Sequence, residues 1–161
     1  MISMAASKKT RHRIALLLFG AYLVLLFYFL FFSEAMGRSG IDAEYHYNLT
    51  PFLEIKRFLK YRDVLGPEAV FLNIFGNVIA FMPFGFFVPM ITKWHKNIAY
   101  VTLYSFELSL LAETMQLVFK IGSFDIDDLM LNTLGGLCGC MIYHIMKQIR
   151  SMYHGIRKKK A

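Results

Sequence analysis

No phosphate-binding loop, nucleophile elbow or zinc signature occurs in this chain, which removes the commonest catalytic templates. Cysteine is scarce. Its two copies, Cys138 and Cys140, sit two positions apart in an apolar, glycine-rich run. On a helix that spacing points them in different directions, so they read as small packing residues rather than a disulfide. The histidines His12, His46, His95, His144 and His154 show no ligand-like partner spacing and read as surface groups. Acids are outnumbered, 11 against 18 basic residues.

What the chain has instead is apolar length. Its 161 residues are 57% hydrophobic with a mean hydropathy of +0.46, unlike an ordinary soluble domain. Four stretches, at about 14–32, 69–92, 98–119 and 129–146, approach the roughly 20 residues that cross a bilayer. The first outruns a usual signal-peptide core, and no A-x-A-like site follows it, so it reads as an uncleaved anchor. The expected fold is all-α: an integral membrane bundle of four transmembrane helices.

Basic residues set the orientation. With the N-terminus inside, Lys8, Lys9, Arg11, Arg13, Lys93, Lys96 and a basic tail over 147–161 all face the cytoplasm. These segments hold twelve of the 18 Lys and Arg and no acid. Positive-inside bias therefore puts both termini in the cytoplasm, and the tail reads as a topology signal that touches anionic lipid rather than nucleic acid. Tyr28, Trp94 and Tyr100 fall near span ends, where interfacial aromatics belong.

The first outer loop carries its own pattern. Thr50 can cap a helix with Pro51 in its first position and Glu54 in its first turn. Phe52, Ile55, Phe58 and Leu59 recur at helical spacing, predicting a short amphipathic helix in the outer headgroup layer.

Polar residues inside the apolar segments matter most, because hydrocarbon cannot satisfy them. Asn73 and Asn77 share one face of the second span, with Gly76 beside them for close approach. Pro83 should kink or break that span, eased by Gly85. Glu113 and Gln116 share a face of the third span, whereas Glu107 points elsewhere. Asp125 can cap the fourth helix. Asn132 lies one turn below Asp128 on its face, and Gly135 and Gly139 form a small-residue stripe. Chain direction puts Asn73, Asn77, Glu113, Gln116, Asp125, Asp128 and Asn132 at similar depth near the outer surface. A shared extracytoplasmic cleft lined by these seven is the expected site.

The motifs Asn48-Leu-Thr-Pro51-Phe52, Asn73-x-x-Gly76-Asn77-x-x-x-Phe81-x-Pro83-x-Gly85-Phe86, Glu113-x-x-Gln116 and Asp125-x-Asp127-Asp128-x-x-x-Asn132-x-x-Gly135 occur in that order. Together they make the chain resemble the VanZ-like family of bacterial membrane proteins. Gly122-Ser123 stands where some relatives carry an arginine. The resemblance implies a multi-pass protein of the bacterial cytoplasmic membrane, whose namesake is associated with resistance to glycopeptide antibiotics, notably teicoplanin. It supplies no reaction.

Three readings follow. One is a non-enzymatic protein that binds membrane lipids, a lipid-linked cell-wall precursor or a lipoglycopeptide, and so changes drug access. A second is an enzyme on a phosphate- or sugar-bearing lipid, with Asp125 and Asp128 holding Mg²⁺ or Ca²⁺ and Glu113 as acid or base. A third is a small lipid transporter, which in so short a chain would need an oligomer. Binding without catalysis is favoured, because the aspartate spacing is a weak metal signal that helix capping also produces.

Overall fold

A computed structural model describes residues 2–33, 45–92 and 97–159. Lys93, Trp94 and Lys96, including the expected interfacial position of Trp94, lie outside the described residues.

Helix α1, Ile2–Tyr28, continues into a π-helical turn at Phe29–Ser33. A two-residue strand β1, Tyr47–Asn48, precedes the short helices α2, Leu53–Lys60, and α3, Arg62–Leu65. Then come α4, Pro67–Ile91, and α5, Ile98–Phe119. Strand β2, Phe124–Asp125, leads directly into α6, Ile126–Lys159. The architecture is all-α apart from this two-stranded parallel pair. Segments Lys9–Phe31, Pro67–Ile91 and Ile126–Tyr153 are long and apolar enough to cross a membrane. Helix α5 has 22 residues, roughly 33 Å, but carries Glu107 and Glu113.

Local chemistry sets the helix ends. Gly66, at φ +83°, hands over to Pro67, whose missing N–H costs nothing in a first turn. Asn97 caps α5 by accepting from the Ala99 amide at 3.0 Å. Lys120 closes the same helix in the left-handed conformation, and the Ile121 amide returns to the Gln116 carbonyl at 3.1 Å. Inside the helices, Ser105 and Thr133 satisfy their hydroxyls on the Val101 and Leu129 carbonyls one turn back.

Two sequence expectations change. Of the kink or break expected at Pro83, the break is absent: α4 passes through Pro83 and Pro89 as one helix, although each proline still removes one backbone donor. Gly76 has nothing within 4 Å of where a Cβ would stand, so it makes no close approach. That role belongs to Gly85, Gly135 and Gly139, joined by Gly136. A Cβ on Gly85 would lie 1.8 Å from the Gly136 carbonyl oxygen, and one on Gly139 would lie 1.9 Å from that of Met82. Helices α4 and α6 therefore touch backbone to backbone. Helix α6 extends beyond the expected span, continuing as helix to Lys159.

Beside this contact Phe84, Val88, Val101 and Cys140 form a buried core cluster, with Phe19, Tyr22 and Tyr104 packed on it. The Tyr22 hydroxyl donates to the Ala80 carbonyl at 2.7 Å, fastening α1 to α4. The bundle thus has two chemically distinct ends. Arg11, Met90 and Arg150 meet at one, and Asn48, Asn73, Asp125 and Asp128 at the other.

Candidate functional site

The second end is assembled across long sequence distances. Strand β1 pairs in parallel with β2, Tyr47 opposite Phe124 and Asn48 opposite Asp125, and the Phe124 amide donates to the His46 carbonyl at 3.1 Å. The Asn48 side-chain amide donates to Asp125 Oδ1 at 3.3 Å. The same oxygen accepts the Asp127 amide at 2.8 Å, so Asp125 does cap α6. The Asp125 amide in turn donates to Glu113 Oε2 at 2.9 Å.

Asp127 does something the sequence did not announce. Only 1% exposed, it does not serve its own helix. Its Oδ1 accepts the Phe52 amide, and its Oδ2 accepts those of Glu54 and Ile55 at 2.9 and 3.2 Å. A carboxylate on α6 therefore caps α2, more than seventy residues away. The expected Thr50–Pro51 start is replaced. Phe52 holds the N-terminal boundary in the left-handed conformation, and the Thr50 amide instead donates to Asn48 Oδ1 at 3.0 Å. One side chain accepting from three helix N-terminal amides satisfies more of the orphan donors than a Thr hydroxyl could.

Above this frame opens a cavity of about 490 Å³. Asn48, Glu54, Arg57, Asn73, Asp125 and Asp128 bring its polar groups, with His46 also on the wall. Of the seven residues expected in a shared cleft, Asn73, Asp125 and Asp128 line it. Asn77 stands behind, its amide donating to Asp128 Oδ1, and Glu113 stands behind Asp125. Gln116 and Asn132 are buried but turn elsewhere. Gln116 donates to the Leu30 carbonyl at 2.8 Å, tying α5 to the π-helical turn that follows α1. Asn132 donates to Ser109 Oγ at 2.9 Å, while its Oδ1 is buried without a hydrogen-bond partner among the described residues.

Asn48, Glu54, Arg57 and His46 are the wall residues that reading single segments missed. The i, i+3 spacing of Glu54 and Arg57 was a usable signal, and their charges meet at 2.7 Å. Burial pushes the Glu54 carboxyl above its ordinary range, opposed by Arg57 and reinforced by Asp125 and Asp127. Burial likewise raises Asp125, against the lowering effect of its bonds from the Asp127 amide and Asn48. Among the described residues, no group of three His, Cys, Asp or Glu side chains is arranged to hold a metal ion. Asp125 and Asp128 alone are too few oxygen ligands to define such a site.

On the other flank of α2 lies an apolar groove of about 540 Å³, lined by Phe52, Ile55, Phe106, Leu129, Leu134 and Leu137 among others. Helix α2 thus separates a polar cavity from an apolar one. The arrangement offers hydrogen-bond acceptors and amides to a polar head, beside a surface suited to a hydrocarbon chain.

Residues 19–147 match the family model described as VanZ/LLP1. Over 131 residues the chain is 32% identical to Protein VanZ of Enterococcus faecium, a match covering 78% of this chain and 71% of that relative. No solved structure gives a significant match.

Proposed function

This chain belongs to the VanZ/LLP1 family, and on that premise we propose that it is a multi-pass protein of the bacterial cytoplasmic membrane that binds the polar head of a lipid-linked envelope component. In this reading α1, α4, α5 and α6 all cross the bilayer, and both termini are cytoplasmic. Helix α2 lies in the outer headgroup layer, and the cavity opens to the outer leaflet. Through that binding the protein contributes to teicoplanin resistance. The positive-inside count and the absence of acids from the basic segments at the Arg11–Arg150 end support the orientation.

One observation carries the binding reading. Four separate segments deliver Asn48, Glu54, Asn73, Asp125 and Asp128 to a single cavity beside an apolar groove. The chemistry narrows the ligand. Arg57 is already paired with Glu54, and Asp125 and Asp128 leave the wall acidic. A bare phosphate would meet like charge, whereas sugar hydroxyls, amides and an ammonium all donate to carboxylates. A glycosyl or peptidyl head on a lipid carrier fits this wall, as does the donor-rich face of a lipoglycopeptide.

The test is expression in a susceptible bacterium. Wild type should protect against teicoplanin more than against vancomycin, and Asp128→Asn should lose protection while accumulating at wild-type level. Equal sensitivity to both drugs with abundant folded protein would contradict the reading. Turnover of a lipid-linked intermediate by wild type, abolished in Asp128→Asn, would replace binding with catalysis.

A further inference from the structure

The opposite end of the bundle carries a second cavity, of about 330 Å³. Two guanidinium side chains stand at it from distant parts of the chain, Arg11 on α1 and Arg150 on α6. Ile14, Leu18, Phe87 and Met90 supply an apolar wall, and Ala15 behind them is buried. No acid occurs in the adjoining sequence on either side: residues 1–13 and 147–161 contain none. These two arginines therefore have no carboxylate from their own flanking segments to neutralise them, although both border an apolar surface.

We infer that this notch is a binding site for an anionic phospholipid, its phosphate held between Arg11 and Arg150 and an acyl chain laid along Ile14, Leu18, Phe87 and Met90. Arginine suits the task because its planar fork bonds two phosphate oxygens at once and its weak hydration eases partial burial. Basic pockets between helices at a membrane face have this pairing of charge and hydrocarbon. The mixed wall also sets the selectivity. Free phosphate would engage the two cations and leave the apolar wall uncovered. A zwitterionic lipid would bring its ammonium against Arg11 and Arg150. A net negative head with a hydrocarbon tail satisfies both halves. The site joins α1, α4 and α6, so its occupant would clasp the loosely packed first helix to the rest of the bundle.

The full chain, purified in detergent, can be titrated with phosphatidylglycerol, phosphatidylcholine and inorganic phosphate. Native mass spectrometry counts bound lipid, and thermal melting reports stabilisation. Phosphatidylglycerol should bind and raise the melting temperature, and the other two should do neither at equal concentration. R11Q/R150Q should weaken phosphatidylglycerol binding by about tenfold or more. K9Q/R13Q removes the same charge from positions that do not line the notch, and it should bind within about twofold of wild type. R11K/R150K, which keeps the charges but loses the forks, should fall between them. A monodisperse R11Q/R150Q protein that binds like K9Q/R13Q would overturn the inference by reducing it to nonspecific charge. An inorganic-phosphate response equal to that of the lipid would overturn the lipid assignment, as would equal binding of phosphatidylcholine. Should R11Q/R150Q not fold, R150Q alone, altering an exposed residue, decides between the same outcomes.

Discussion

At the scale of single residues, three aspartates within four positions at the start of α6 have different jobs, and closeness in sequence conceals this. Asp125 caps its own helix, Asp127 caps another, and Asp128 holds Asn77 beside the cavity. Replacing Asp127 by Ala leaves the amides of Phe52, Glu54 and Ile55 without their acceptor. That should cost about 1–2 kcal/mol and speed amide exchange across 52–60. Asn, with one acceptor oxygen instead of two, should fall between. Unchanged exchange in Asp127→Ala would contradict this capping. Glu54 offers a pH test. Its folded-state carboxyl is raised above the ordinary value of 4.5, so the folded state holds that proton more tightly. The stabilising effect of protonation is complete below the ordinary range and is lost as pH rises through the folded value. Relative to Glu54→Gln, the wild-type melting temperature should therefore drop as pH rises above about 4.5, by a small amount because the group is partly exposed. A wild-type advantage that grows with pH would reverse the sign.

Among the elements, the contact between α4 and α6 controls the fold. Gly139→Leu would drive a Cβ to within 1.9 Å of the Met82 carbonyl oxygen, a backbone atom that cannot move cheaply. A loss of about 3 kcal/mol or more, and of folded yield in detergent, is expected. Gly76→Ala meets open space and should be neutral or stabilising by about 0.5–1 kcal/mol. Thermal melts of the two variants decide the point, and similar melts would contradict it. The same elements show what the sequence disclosed. Long, mainly apolar runs at about 69–92 and 98–119 made the limits of α4 and α5 readable to within a few residues. Pro83 does not break α4, because tertiary packing can hold a helix through a proline that would break it in isolation. Gly76 misled because a glycine marks room for approach without naming the helix that uses it. The β1–β2 pairing and the capping of α2 by Asp127 were not readable from spacing. They depend on side chains more than seventy residues apart, and nothing local in either segment reports on the other.

For the whole molecule, charge and polarity divide along the bundle axis. Basic side chains without acids gather at one end, and a carboxylate- and amide-lined cavity lies at the other. Reporter fusions should place both termini in the cytoplasm, and an external N-terminus would invert the assignment of the two ends. The sequence brought three of its seven candidates to the cavity wall because chain direction sets depth. It could not set helix rotation, so Gln116 and Asn132 face the packed interior instead. The most direct measurement is equilibrium binding of a purified lipid-linked glycopeptide precursor to the detergent-solubilised chain. Asn73→Ala and Asp128→Asn should each weaken it by about tenfold, the effect of one charge-assisted hydrogen bond, while leaving the melting temperature within a few degrees of wild type. Binding by both variants at wild-type affinity would contradict a headgroup site in this cavity.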